Sequence, residues 1–512
     1  MAGYLPTLAP SITWKNGGID SGELALAVSA VGIAHPTGYP LYVVLGKVFT
    51  WLPWGEPAFR LNLFSALSAA LAAAVLAYAV QRACPAEVPP WARDLAAGVA
   101  GLLLAFTPAL WSQAVITEVY ALHSLFVAAN LALLLAATDG RRAGRPRAVL
   151  ALGCLVAGLA LAHHVTILLL APGTGLYLWL ARRTLPPLGR REVAVGVGLL
   201  LLGLSPYLLL PLRSSQQAVA NWGDPQTLAN FVAQVSARDY AGMLTGTPTT
   251  AALARIPAAA RLVLEQYGWA GVLLITTGGW VLWQQHRALA GHLALSGGLV
   301  LAQAAHYVAR DSEVYLLPLY VLLALALGVG AASALAALPT VVPRRAGRQR
   351  RAFLLTPELA RLVGGLALAA LPVVSYLQHR SAVDVHADGE AVAYAREVLE
   401  GLAPQAVVLA ADDRETFSLW YVHSVLGVRQ DVLVLDARLL AWPWYLDNLR
   451  RLYPDLSWPE RPRATVAEVV AATRPRPVYF TYADPAFRTV PQGRVFALAL
   501  DEPTASGLGK TP

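Results

Sequence analysis

The chain has 512 residues, of which 56% are hydrophobic and only 14% charged, where a soluble globular protein carries about 25% charged residues. That composition excludes an ordinary soluble protein and describes a polytopic membrane protein. The formal net charge of +8 sits in arginine clusters between apolar runs, as the positive-inside rule distributes it, so nucleic acid is excluded as a partner.

In chain order, residues 1–23 are polar and carry Pro and Gly without an apolar h-region, so no cleavable signal peptide is read there. Trp14-Lys15-Asn16-Gly17-Gly18-Ile19-Asp20-Ser21-Gly22-Glu23 and His35-Pro36-Thr37-Gly38-Tyr39-Pro40 place two carboxylates and an imidazole among glycines and prolines. Leu24–Ala34 and Tyr39–Trp54 are apolar but too short or too interrupted to cross a core that needs about 20 residues. They are expected to lie as helices in the interface. Spans are expected near 61–81, 94–112 and 119–137, the last closing on Arg141, Arg142, Arg145 and Arg147.

The segment Ala148–Ala181 would be about 50 Å long as one helix, against a hydrocarbon core of about 30 Å. Arginine clusters flank both ends, and both belong on the cytoplasmic side, so the chain must turn near His163-His164. Spans near 193–212, 268–284, 293–309, 314–337 and 361–377 complete about ten in all. Arg182-Arg183…Arg190-Arg191 and Arg344-Arg345…Arg348…Arg350-Arg351 then join the cytoplasmic side. Residues 1–60, Gln113–Glu118, His163-His164, the loop 213–267, Arg310–Glu313 and everything after Gln378 fall on the other.

Three regions follow: a first outer loop over 1–60, a transmembrane helical domain over 61–378, and an outer-face α/β domain over 379–512. Ala406–Ala411, Val432–Asp436, Val478–Thr481 and Val495–Leu500 read as short strands between helix-like stretches at 389–402 and 414–425. The tail after Glu502 is expected to fray. Cys84 and Cys154 lack partners at metal-ligand spacing and imply neither disulfide nor zinc site.

Thr7-Leu8-Ala9-Pro10, Asp20-Ser21-Gly22-Glu23, Gly32-x-x-His35-Pro36-x-Gly38-Tyr39-Pro40-Leu41 and Arg60-Leu61-Asn62-Leu63-x-Ser65-Ala66 together resemble the bacterial protein O-mannosyltransferase-like integral membrane family, related to the vertebrate transmembrane O-mannosyltransferase. Supporting matches are Glu118-Val119-Tyr120, Trp222-Gly223-Asp224-Pro225, Asp311-Ser312-Glu313-Val314-Tyr315-Leu316-Leu317-Pro318, Thr416-Phe417-x-Leu419-Trp420-Tyr421 and Trp442-Pro443-Trp444-Tyr445. The resemblance implies a C-type membrane glycosyltransferase that passes a sugar, mannose by resemblance, from a polyprenyl-phosphate carrier to a hydroxyl on protein or glycan at the outer face of a bacterial inner membrane. It also implies an essential acidic residue in the first outer loop, a position that Asp20 matches with Glu23 beside it. Family members usually begin with a membrane helix before this loop, so an upstream start or a lost helix stays open.

Glycosyl transfer to a hydroxyl needs a carboxylate to take the proton and donors to hold the departing phosphate. Asp20-x-x-Glu23 ahead of an apolar run is also a capping box, with Asp20 as N-cap and Glu23 at N3. Spacing alone favours the cap, and the resemblance reverses that order. Glu118, at the outer mouth of a span, is either a partner of the helix dipole or a second acidic site residue. His35 is a turn-fixing histidine or a ligand of acceptor or phosphate, and Tyr39 and Asn62 join it through the matched motifs. For the phosphate, Arg310 is preferred over Arg213, because it lies in the charged run Arg310-Asp311-Ser312-Glu313; Arg60 and Lys47 are secondary candidates. Glu313 is carried with Arg310.

His163 and His164 are expected to be solvated at the interface, with His163 kept as a substrate contact and no metal site read from them. Related enzymes differ in metal dependence, so a divalent cation stays open. Trp222 and Tyr240 are candidate stacking groups for sugar or peptide, and Asp412–Glu415 and Trp442–Tyr445 follow strands, a common binding position. The rival reading is a transporter or flippase for a lipid-linked or soluble solute. It would place polar residues near the midplane, often with repeats, whereas here they gather at one interface.

Overall fold

A computed structural model describes residues 1–138, 146–216, 218–308, 312–341 and 356–499. Arg141, Arg142, Arg145, Arg310, Asp311, the Arg344–Arg351 cluster and the expected end of the last strand at Leu500 lie outside the described residues.

The two short apolar stretches form α1 (Ser21–Ala30) and α2 (Pro40–Phe49). Only α2 suits the expected interfacial placement. It exposes Val44 and Val48, and Trp51 and Trp54 stand out beyond its end, as anchors at a membrane interface do. α1 is buried from Ser21 to Val28. Its apolar residues run all round the helix, and such a helix needs cover on every side. It is wedged against α19 (Asp413–Trp420) of the C-terminal domain.

The long helices follow. α3 (Pro57–Ala83), α6 (Tyr120–Thr138), α15 (Arg287–His306), α16 (Leu317–Val341, preceded by a 3-10 turn) and α17 (Pro357–Val383) cover all or most of the expected spans near 61–81, 119–137, 293–309, 314–337 and 361–377, with α15 ending three residues early. The span expected as one helix over 94–112 is broken into α4 (Pro90–Ala105) and α5 (Pro108–Ala114), bent by 65°. Pro108 cannot continue the ladder of α4, and Thr107 restarts it by accepting the Leu110 N–H. α7 (Pro146–Leu161) and α8 (Ala171–Leu180) bracket the expected turn at His163-His164. α9 (Arg190–Leu204) passes through a 3-10 turn into α10 (Leu209–Ser215); after three short helices, α11 (Leu228–Val235), α12 (Ala241–Thr245) and α13 (Thr249–Ala254), α14 (Ile256–Gln285) begins a dozen residues before its expected span.

Six described helices are long and apolar enough to cross a bilayer, or seven if the bent pair counts as one span. α3, α4, α6 and α16 form the packed centre. α9, α14 and α17 expose Leu201, Leu202, Trp269, Leu273, Trp280, Leu362, Leu366 and Leu377, an apolar outer surface suited to lipid rather than water.

The C-terminal domain carries α18 (Glu390–Glu400), α19, α20 (Pro443–Leu452) and α21 (Val466–Ala472) around a five-stranded sheet in the order β2-β1-β3-β5-β4. β1 (Val407–Ala410) is parallel to β2 (Leu433–Asp436) and β3 (Val478–Phe480). β5 (Val495–Leu498) is antiparallel to β3 and to β4 (Thr489–Gln492). The expected α/β character holds. β4 was not expected, because Thr489-Val490-Pro491-Gln492 is short, contains proline and is largely exposed, the marks of an edge strand.

Gly22 decides how closely α1 and α19 meet, since a Cβ there would fall on the Phe417 carbonyl. Gly22→Ala is expected to force the helices apart and to destabilise the protein by about 1–3 kcal/mol, the usual overpacking range. A lowered thermal midpoint in detergent checks this; an unchanged midpoint would mean that the two helices are not packed this tightly.

Candidate functional site at the mouth of the membrane domain

The first loop is held from three sides. Asn16 and Gly17 take left-handed conformations, and Asn16 donates to the Val383 carbonyl at 2.9 Å while its own carbonyl accepts from Gln113. Trp14 Nε1 donates to Ser418 Oγ at 2.9 Å, and the Arg414 guanidinium lies 4.0 Å above its ring. Ser21 donates to the Thr117 carbonyl at 3.1 Å. The loop is therefore clamped between α17, α19 and the segment before α6.

The expected capping box does not form. Asp20 stands at the N-cap without a side-chain cap hydrogen bond. Glu23 instead turns to His35, accepting its backbone N–H at 3.0 Å and pairing with its Nδ1 at 2.9 Å. A bidentate bond to His35, twelve residues on, outcompetes a local cap because the Gly32–Gly38 turn folds the imidazole back over α1. Glu23 is fully buried, whereas the Asp20 side chain keeps 39% exposure.

On its far side, His35 Nε2 lies 3.9 Å from Asp20 Oδ2, so the ring stands between a buried carboxylate and an accessible one. Burial works against an imidazolium here. The charge and hydrogen bond of Glu23, reinforced by Asp20 and Glu118, more than offset it, and the His35 pKa is raised to about 9. At neutral pH His35 is therefore an imidazolium, with Glu23 on one side and Asp20 on the other. Asp20 is the more accessible of the two carboxylates, and the His35 ring lies beside it.

The turn after α1 is built by pairing with a distant loop. Val31 is left-handed and ends the helix; Ile33 then bridges Asn221 in parallel, its N–H donating to the Ala220 carbonyl at 2.7 Å. That register brings the Trp222 ring to 6.3 Å from His35 and leaves Tyr39 edge-on to it at 5.1 Å. Glu118 is 3% exposed, just before α6, where its carbonyl accepts from Ser65. Tyr240 is half-buried, and desolvation followed by the charge of Asp20 raises its pKa.

His163 and His164 are not solvated. They are 0% and 4% exposed, because the α7–α8 turn is covered by Tyr39, Tyr42 and α6. His163 Nε2 donates to the Val119 carbonyl at 2.9 Å, and Thr166 Oγ1 lies 2.7 Å from His164 Nδ1 and 3.2 Å from His123 Nε2. His123, Tyr42 and Asn221 are not among the candidates that the sequence offers. His123 lies three residues after Tyr120 on the face of α6 that meets the turn, a helical spacing that offers a signal. Asn221 offers little, since besides nearby Asp224 it joins Ile33 and Asn448, each more than 180 positions away. Among the described residues, no group of three or more His, Cys, Asp or Glu could hold a metal ion.

The remaining candidates among the described residues have other partners or surroundings. Asn62 donates to the carbonyls of Ala9 and Ser11 and accepts from Thr117, which seats the chain start on α3. Arg213 donates to the carbonyls of Ala30 and Val31 and so finishes α1, whose C-terminal carbonyls attract a cation. Arg60 is spent on the carbonyls of Thr50, Trp54 and Gly55. Glu313 is exposed and lines a cavity with Arg255 and Leu316. Arg310 lies outside the described residues.

With this geometry in view, the comparisons with known proteins are specific. The family model for the Protein O-mannosyl-transferase TMEM260 N-terminal domain matches residues 20–185, and that for TMEM260-associated domain 2 matches residues 391–457. Protein O-mannosyl-transferase TMEM260 of Mus musculus is 26% identical over 473 residues, covering 86% of this chain and 62% of its own length. The Dictyostelium discoideum protein of that name is 22% identical over 493 residues, covering 89% and 58%. The chain thus spans about three fifths of the length of these curated relatives. ArnT from Cupriavidus metallidurans bound to undecaprenyl phosphate superposes with a TM-score of 0.59 at 16% identity, covering 97% of this chain and 95% of that one. Its apo form gives 0.53 at 16% identity, covering 89% and 93%. The fold is the C-type membrane glycosyltransferase architecture.

Proposed function

We propose, on the premise that this chain is a relative of the TMEM260 protein O-mannosyl-transferases, that it moves a sugar, mannose by kinship, from a polyprenyl-phosphate carrier to a hydroxyl on a protein acceptor. The observation that carries this reading is the imidazolium held between an exposed and a buried carboxylate at the mouth of an apolar helical bundle. The ArnT neighbour, bound to undecaprenyl phosphate, supports a lipid-phosphate leaving group. The chemistry belongs to the outer face of a bacterial inner membrane, with the C-terminal domain outside the cytoplasm.

In the transfer, the acceptor oxygen attacks the anomeric carbon while its proton passes to Asp20, and the bond from that carbon to the phosphate oxygen breaks with the electron pair leaving on the phosphate. Asp20 is the base, and an exposed carboxylate with an ordered partner suits general-base catalysis. The Glu23-held imidazolium of His35 lies 3.9 Å from Asp20 and places positive charge where negative charge develops. Glu118 adds to the field that holds His35 charged. Arg310 remains the proposed phosphate ligand.

Purified protein given labelled polyprenyl-phosphate mannose and a mixed pool of outer-face proteins is expected to label protein in an enzyme-dependent way. The label should be released by alkaline β-elimination, as a sugar on a Ser or Thr hydroxyl is. If no label is transferred from this donor or from other polyprenyl-phosphate sugars, the reading fails.

A further inference from the structure

Beside the acid cluster, a cleft opens between the loop before α11 and the C-terminal domain. Its walls include Leu26 of α1, Trp222, Trp420, Val434 of β2, Trp444 and Leu452, and Glu23 lies at its edge. Three indoles thus converge next to the reacting groups: Trp222 stands 5.3 Å from Trp444 and 6.4 Å from Phe417 of α19, the helix that carries Trp420.

The two walls are latched together. Asn221 and Asn448 exchange hydrogen bonds, the Asn221 amide donating to Asn448 Oδ1 at 2.8 Å and the Asn448 amide to the Asn221 carbonyl at 2.7 Å. Arg451 pairs with Asp224 at 3.0 Å. Two residues that line the cleft carry a buried polar atom without a hydrogen-bond partner among the described residues: Asn221 Oδ1, on a residue 4% exposed, and His423 Nε2. A buried acceptor left unsatisfied is costly and calls for a donor.

We infer that this cleft is a specificity subsite for an extended polypeptide acceptor, which seats one large apolar side chain among Trp222, Trp420 and Trp444 and turns a backbone N–H toward Asn221 Oδ1. The inference rests on the proposed protein acceptor and adds a sequence preference to it. The cleft sets apolar walls beside the polar groups of Asn221, His423, Ser424 and Asn448, a combination that suits a polypeptide, which brings an apolar side chain and backbone hydrogen-bonding groups together. From His35 the path runs through ring-to-ring steps of 6.3 and 5.3 Å. At about 3.3 Å per residue, an extended chain puts the anchoring side chain about two to four residues from the acceptor hydroxyl.

The test is equilibrium binding, by fluorescence polarisation, of dye-labelled peptides with one central Thr in an Ala/Gly background and one Trp moved through the five positions on either side. Full-length protein in detergent is expected to bind best with Trp at one position two to four residues from the Thr, about tenfold tighter than the Trp-free peptide, as befits burial of one aromatic side chain. Trp444→Leu is expected to erase that preference, and Trp444→Phe to keep most of it. A flat profile in wild-type protein, a preference that survives Trp444→Leu, or competition by oligosaccharide but not by peptide would each overturn the inference. Because binding needs no donor, these results stand apart from the labelling assay: positional binding without sugar transfer would sink the proposed reaction and leave the subsite, whereas transfer with no positional preference would do the reverse.

Discussion

Asp20→Asn is expected to lower sugar transfer by about 10²–10⁴-fold, the range for loss of a general base, in protein that inserts and unfolds as the wild type does. The reason lies in what Asp20 does not do: it makes no side-chain cap hydrogen bond to α1, and its carboxylate is 39% exposed on the open side of His35. Were it a structural cap instead, the amide would hold the helix nearly as well, and both stability and transfer would be nearly untouched. Initial rates with labelled polyprenyl-phosphate mannose, read beside the thermal midpoint in detergent, separate the two. Full transfer by the Asp20→Asn protein would move the base to another group, with Glu118 next in line.

The second large effect concerns Glu23. Burial disfavours an imidazolium at His35, and the buried Glu23 carboxylate is the principal group that reverses this to reach about 9. Glu23→Gln keeps the shape and removes the charge. In wild-type protein, kcat/KM is expected to hold through neutrality and fall as pH rises through about 9. In the variant the same fall is expected roughly two pH units lower, as a group loses its counter-charge in a desolvated place.

Stability follows the same sign. A pKa raised in the folded state means that the His35 contribution is complete below the ordinary imidazole value near 6.5 and is lost as pH rises through about 9. The wild-type midpoint should therefore drop between these limits by more than the midpoint of Glu23→Gln. Superimposable activity profiles for the two proteins would mean that His35 charge plays no part in the reaction.

The candidate residues were legible in the first forty positions because Asp20, Glu23 and His35 lie within sixteen positions, and the family resemblance, rather than their spacing, pointed to catalysis. What those residues do to one another was not. Asp20-x-x-Glu23 satisfies the spacing of a capping box, and only the return of the chain at Gly32 shows Glu23 spent on His35. Arg213 and Arg60 met the criteria for phosphate ligands by type and position. Yet backbone carbonyls of α1 and of the loop 50–55 consume their donors. For Arg213 those carbonyls lie on Ala30 and Val31, far back in the chain, and no local pattern announces them.

The membrane helices show the same division. Composition and the arginine clusters pointed by themselves to a polytopic chain with a break near His163, and the strand-like runs after Ala406 to an α/β domain, because hydropathy, charge and strand patterning act locally. Tertiary structure decided that α1 is wedged inside rather than laid on the interface, that His163 and His164 are covered rather than wet, and that Trp222 meets His35 and Trp444. The physical reason is that burial and hydrogen-bond partnership depend on what the rest of the chain brings alongside. A parallel bridge between Ile33 and Asn221 joins segments almost 190 residues apart, and the site exists only once that contact has formed.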